Sequence, residues 1–532
     1  MKDRNVFDSA SATAVATDSP PPALASQDRS FFGHPRGLST LFFTEMWERF
    51  SYYGIRPLLV LFMAAAIAEG GFGFDRGQAS AIVGIYAASV YLASLPGGWI
   101  ADRLLGLRRA ILYGAFLISF GHISIGLSSF AGSKVPFFVG LIFIVMGTGL
   151  LKPNISAIVG DLYPEGGARR DAGFSIFYMG INIGAFAGQL VTGYLGELVG
   201  WHLGFGAAGV GMLLGLTWFL LRAKPTLGDM GLHPTRDPDP MKQAKFERTA
   251  KLSIGLGLAL IAALVFAAGT GMITLDAQAI GRNMTYVLVG TAAVYFLYLF
   301  TAGGLNTDEK KRVAVIAVLF LAAATFWSAF EQAPTSLNLF AADFTDRQFG
   351  NFEMPATWFQ SVNAFFVVAF APVAAWTWIR LSKRPQGDLS SPAKFSLGLF
   401  LAGLGFVVMI FAANKVVDSG GALKVSAWWL TISYLFQTWG ELALSPVGLS
   451  SMTKLSPRRY VGQMMGIWFL ASAVGNLIGG LVGGHVDPEK LDQMPKLFTQ
   501  TSIFLFIAAG VLALLVVPIR NMMKQSSMSG GH

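Results

Sequence analysis

Between positions 45 and 56 the sequence reads Glu-Met-Trp-Glu-Arg-Phe-Ser-Tyr-Tyr-Gly-Ile-Arg, which sets charges and phenols inside a stretch otherwise apolar enough to cross a bilayer. An ionisable side chain in hydrocarbon costs at least ~2.5–3.5 kcal/mol on insertion scales, so such residues face a protein interior or a water-filled path and mark function. At about 100° per residue, with Glu45 at zero, Arg56 falls at ~20°, Arg49 at ~40°, Tyr52 at ~−20°, Glu48 at ~−60° and Tyr53 at ~80°. One face carries all of this chemistry, while Met46, Trp47, Phe50, Gly54 and Ile55 fall elsewhere on the wheel. Two readings fit the face. Glu45 and Arg49, at i,i+4, could form a structural ion-pair network; or the face lines a polar cavity, which Tyr52, Tyr53 and Arg56 favour by extending it beyond what pairing needs.

Other embedded charges are few. Lys152 follows a long apolar run in Gly-Leu-Leu-Lys-Pro-Asn-Ile, Glu331 lies in Ser-Ala-Phe-Glu-Gln-Ala-Pro, and Glu441 lies in Trp-Gly-Glu-Leu-Ala-Leu-Ser-Pro. A lysine near a helix end can snorkel to the interface. Against that, mostly apolar residues continue from Lys152 to Asp161.

The elements that must position these groups are transmembrane helices. The chain is 53% hydrophobic and 13% charged with 62 glycines, far from soluble averages. Apolar runs of spanning length recur at about 40–67, 79–101, 110–130, 136–159, 173–196, 203–221, 252–273, 284–303, 312–340, 356–379, 395–413, 426–450, 462–484 and 498–518, which predicts fourteen helices. There is no cysteine, so disulfides, thiolate metal sites and cysteine nucleophiles are excluded. The histidines (His34, His122, His202, His233, His485, His532) are scattered without metal-ligand spacing, and no cofactor is expected. The net charge of +9 sits in short loops and fits membrane orientation, not nucleic acid. Most of the 39 lysines and arginines fall on the side of the two termini, which predicts both termini in the cytoplasm.

A parallel repeat divides the chain. Residues 183–193 align with 474–484, matching Gly184 with Gly475, Gly188 with Gly479 and Gly193 with Gly484; after a shift of two residues, Pro153 and Pro164 match Pro446 and Pro457. Glycines four apart permit close helix packing. The expected organisation is a tail (1–37), a six-helix bundle (38–221), a linker with two extra helices (222–311), a second six-helix bundle (312–519) and a tail (520–532). In the repeat register Glu441 is equivalent to Thr148, one turn before Lys152, so Lys152 and Glu441 should lie at similar depth on opposite walls.

The run from Glu45 to Gly54 resembles Glu-x-x-Glu-Arg-Phe-x-Tyr-Tyr-Gly, the first-helix signature of the proton-dependent oligopeptide transporter family, a branch of the major facilitator superfamily. The resemblance covers nearly the whole chain after the tail. It implies an all-α major facilitator fold with two extra helices between the halves. It implies a proton-coupled symporter importing di- and tripeptides by alternating access, multi-pass in the bacterial inner membrane and functional as a monomer. Its residue roles carry over position by position. Tyr52, Tyr53, Arg56, Tyr91, Lys152, Asn182, Asn363, Glu441, Trp468 and Ser472 would contact substrate, with Phe469 beside them; Glu45, Glu48, Arg49 and Glu331 would couple protons. The stretch Gly97 to Arg109 resembles the superfamily's Gly-x-x-x-Asp-Arg-x-x-Gly-Arg-Arg loop, with Leu107 where an arginine often stands. Asp102 there would cap a neighbouring helix in the outward-facing state; an ordinary basic loop is the alternative.

Charge complementarity supports the same substrate. The first half supplies buried cations, Arg56 and Lys152, and the second supplies anions, Glu331 and Glu441, which suits the carboxylate and ammonium ends of a short peptide. A bridge between Lys152 and Glu441 is expected to close the cytoplasmic path. A proton-coupled carrier of nitrate or another small anion is the alternative on this fold, and the glutamate for the peptide amino terminus argues against it. An intramembrane enzyme lacks a metal cluster, a His-Cys pairing and a soluble domain, and a receptor would not need a titratable set of this kind.

Overall fold

The computed structural model of the chain describes residues 28–128, 133–236, 238–383 and 389–529, so most of the expected N-terminal tail lies outside the described residues. Fourteen long helices follow one another: α1 Arg36–Ala64, α2 Arg76–Ile100, α3 Leu107–Ser128, α4 Val135–Asp161, α5 Gly167–Gly193, α6 Trp201–Leu227, α7 Pro240–Gly269, α8 Ala277–Thr301, α9 Thr307–Phe330, α10 Trp358–Ser382, α11 Ser391–Asp418, α12 Trp428–Leu455, α13 Val461–Leu481 and α14 Gln493–Ser529. Twelve are long and apolar enough to span a membrane by composition; α1 and α12, which hold most of the charged candidate residues, are too polar to qualify. The chain is a multi-pass, all-α membrane protein.

Local chemistry sets several boundaries. Asp75 caps α2 by accepting from the Gln78 amide (2.9 Å), and α9 opens with a reciprocal capping box between Asn306 and Glu309. The expected single helix over 312–340 is broken. α9 stops at Phe330, because Pro334 lacks the N–H that the next turn would need; a π-helical turn Ala333–Leu337 and a short helix Asn338–Phe344 follow. The stretch expected as a loop after α2 instead continues as a π-helical turn, Ala101–Leu105, ending at Gly106 with φ +84°. α7 begins at Pro240, well before the predicted start, because Asp239 caps it and proline at its first position fits a helix entry. Short strands join the outer loops: β1 Thr345–Asp346 pairs in parallel with β4 Val425–Ser426, and β2 Gln348–Phe349 with β3 Phe352–Glu353 in antiparallel.

Helices α1–α6 and α9–α14 form two bundles, and α7 and α8 stand outside them, with α8 resting on α13 and α2. The repeat glycines explain the internal symmetry. A Cβ on Gly184 or Gly188 of α5 would collide with the backbone of Met46 or Phe50 of α1; on Gly475 or Gly479 of α13 it would meet Trp327 or Glu331 of α9. Each bundle thus seats a glycine pair four residues apart against a helix that carries a charged residue or ends at one.

The bundles meet on the side opposite the termini, the far side. There Gly77, Ser80 and Gly84 of α2 lie directly on Gly480, Gly483 and Gly484 at the end of α13, and α5 packs along α10. Asn338 donates to the Pro57 carbonyl (2.8 Å), and Arg76 pairs with Asp343. On the terminal side, among the described residues, α4 and α5 make no comparable packing with α12 or α13. The far side is closed and the terminal side is open.

Candidate functional site

The helical-wheel face of α1 is realised as two groups. Toward the terminal side Arg49 Nε approaches Glu45 Oε1 (2.9 Å) and Glu48 Oε2 (2.6 Å), all nearly sealed from solvent. The approaches lie off the N–H axis, so charge and not directed hydrogen bonding holds the triad. Thr148 of α4 donates to Glu48 Oε1 (3.3 Å), and the guanidinium sits 5.5 Å from the Tyr52 ring centroid. Separating such a buried pair costs ~3–5 kcal/mol, so its charges move together.

Two turns on, Arg56 crosses between bundles. It pairs with Glu331 of α9 and donates to Asn476 Oδ1 of α13 (2.8 Å). The break after Phe330 puts Glu331 at the C-cap of α9, where the chain turns and the carboxylate can reach the first bundle. Tyr52 packs edge-on against Tyr53 and stacks on Tyr86 at 6.0 Å.

Lys152 and Glu441 stand differently. Among the described residues no carboxylate lies within ion-pairing distance of Lys152; its ammonium is 4.4 Å from the Tyr91 ring centroid, a cation–π contact worth ~0.5–2 kcal/mol. Glu441 accepts from the Asn363 amide (3.2 Å), which also donates to Thr438 Oγ1 (2.9 Å). The expected Lys152–Glu441 bridge is absent, because α4 and α12 are apart on the open side. Both side chains retain accessible surface.

Other candidates face elsewhere. Asn182 is buried and donates to the Tyr178 carbonyl of its own helix (2.9 Å). Trp468 is buried against Phe395 and Gly448, where the absence of a side chain on Gly448 leaves space for the indole. Ser472 is buried, with its hydroxyl directed to the Trp468 carbonyl (3.5 Å). Asp102 is exposed and its carboxylate caps no helix among the described residues; the cap was expected of the state in which the terminal side is shut, which is not the conformation described. Asn476 and Thr148 were not anticipated as partners of the charged groups, nor Thr438 as the acceptor that helps hold Asn363. The signal for Asn476 was an amide standing where the repeat has Ala185.

The POT family model matches residues 108–225 and 290–497. The chain belongs to the POT family. It is 49% identical over 498 residues to the peptide transporter YePEPT of Yersinia enterocolitica subsp. palearctica, covering 94% of this chain and 97% of that one. It is 36% identical over 520 residues to a di-/tripeptide transporter of Lactococcus lactis subsp. cremoris, covering 94% and 97%. A crystal structure of peptide transporter POT in complex with sulfate matches with a TM-score of 0.85 at 40% identity, over 95% of this chain and 100% of that one. As a POT-family protein the chain has the major facilitator fold and belongs among transporters, not enzymes.

Proposed function

We propose that this protein is a proton-coupled symporter that imports di- and tripeptides across the bacterial inner membrane by alternating access, with both termini cytoplasmic. The observation that carries the reading is a pair of groups with no ion-pair partner among the described residues: Lys152 on one bundle and Glu441 on the other. A zwitterion supplies a carboxylate to the first and an ammonium to the second. A small anion would satisfy Lys152 and leave Glu441 bare.

Protons enter through the carboxylates that hold arginines. Protonating Glu331 removes its charge from Arg56 across the seam, and protonating Glu45 or Glu48 loosens Arg49 beside the substrate lysine. One charge crossing the membrane yields ~2.3 kcal/mol per 100 mV, which suffices to drive accumulation. No cofactor is required, and a single chain in the bilayer holds both bundles of the site. In proteoliposomes a dipeptide should compete for uptake far better than its C-amidated or N-acetylated form, since masking an end strands a buried charge at ~2–5 kcal/mol. Equal competition by all three would overturn the reading.

A further inference from the structure

The far-side seam contains a charged contact outside the proton and peptide chemistry just described. α5 runs on through a π-helical turn, Tyr194–Val199, that ends the helix on the far side. Glu197 in that turn points across the seam at the start of α10. Its Oε1 accepts from the Thr357 backbone N–H (3.0 Å) and the Thr357 hydroxyl (2.7 Å), and its Oε2 accepts from the Ala356 N–H (2.7 Å). Thr357 is the N-cap of α10, and its own side chain makes no capping bond to that helix. The Trp358, Phe359 and Gln360 N–H groups bond back to the Pro355, Ala356 and Thr357 carbonyls, so the N–H groups of the N-cap and of the residue before it are the ones Glu197 satisfies, and the positive end of the helix attracts its carboxylate. Arg347 lies 3.8 Å from Glu197, but it is held more closely by Glu353 (2.8 Å) and the Met354 carbonyl (2.6 Å). The neighbouring contacts are also between bundles: Trp358 donates to the Leu190 carbonyl (2.9 Å), and Gly193 lies too close to Thr357 to carry a side chain.

We infer that Glu197 caps α10 in trans and is a positioning residue for transport. From the first bundle it holds the helix that carries Asn363 and, through Asn363, Glu441, and it can do so only while the far side is shut. Opening that side must withdraw the carboxylate from all three donors at once, so the contact favours the closed far side. The inference rests on the alternating-access reading.

The test places spin labels at the far-side ends of α5 and α10 in the full chain in lipid nanodiscs. The parent should show two distance populations; a single one would overturn alternating access and this inference with it. In Glu197→Ala the longer population should grow severalfold, and in Thr357→Val, which loses only the hydroxyl, it should grow less. The pair Glu197→Arg with Arg347→Glu separates a cap from an ion pair. It restores opposite charges but leaves the Ala356 and Thr357 N–H groups facing a cation, so the longer population should stay large. Two parental populations unshifted in Glu197→Ala, or a closed far side restored by the charge swap, would overturn the cap and leave alternating access standing. If Glu197→Ala fails to fold, Thr357→Val decides: an unshifted distribution overturns the cap.

Discussion

Glutamine at position 331 would remove a titratable group without leaving Arg56 bare, because Asn476 also accepts from that guanidinium. Glu331→Gln should therefore lose proton-driven accumulation in proteoliposomes while peptide counterflow stays within about tenfold of the parent, the equivalent of ~1.4 kcal/mol. Normal concentrative uptake would place the coupling proton elsewhere. Glu441→Gln should act on a different quantity: affinity for free dipeptides falls by about 30-fold or more, as expected when a buried ammonium loses its partner, while N-acetylated peptides lose little. Binding calorimetry on both ligands checks this, and parallel losses would count against an ammonium site. The charged half of the site was legible in the sequence because hydrocarbon makes each charge expensive. Its neutral half was not. A lone hydroxyl or amide, as at Thr148, Thr438 or Asn476, is inexpensive in a helix whose own carbonyl can accept from it, and all three could have been satisfied locally.

At the scale of elements, the glycine seats make a sharp prediction. Gly188→Ala drives a methyl group into the Phe50 carbonyl, whereas Gly206→Ala meets nothing within 4 Å. The first should lower the melting temperature, in line with the ~1–3 kcal/mol of an overpacked contact, and the second should leave it unchanged or raise it; fluorescence-detected melting in detergent compares them. A second element is the strap before α1, where His34 Nδ1 meets the Tyr163 hydroxyl at 2.9 Å. Burial, with Arg169 adding to it, holds the proton affinity of His34 below its ordinary value. The folded state therefore binds that proton less well than the unfolded chain. Its contribution is present above the unfolded pKa of about 6.5 and is lost as pH falls below it. The melting temperature should drop less between pH 7.5 and 5.5 in His34→Gln than in the parent; identical drops would remove His34 from the pH response. The helices themselves were readable because each apolar run is near spanning length. The break after Phe330 was hidden, since Glu331 to Pro334 interrupt that run too briefly to divide it, and the extra turns of α7 were missed because its start is polar.

For the whole molecule, which face is open depends on packing between bundles that share no local sequence signal. The matched depth of Lys152 and Glu441 could be inferred from the repeat, but not that this conformation keeps them apart. A bridge between them would belong to a state in which the terminal side is shut. Lys152→Ala removes that state's contact and should shift the population toward the conformation described, with a wider mean separation between labels on the terminal ends of α4 and α12. An unchanged or narrower separation, with peptide binding impaired, would leave Lys152 a ligand and not a gate.

Arg56 is held from the opposite bundle by two groups, the Glu331 carboxylate and the Asn476 amide oxygen, of which only the first can be protonated. If Glu331 takes up the coupling proton, its arrival in the absence of cargo would loosen only one of two tethers and leave the bond to Asn476 in place. Fidelity would follow from this redundancy: an empty carrier should not short-circuit the gradient. Asn476→Ala should turn a tight machine into a leaky one, with a pH dye inside cargo-free vesicles reporting faster acidification than in the parent. A leak no faster than the parent's would show that something other than this amide guards the empty cycle.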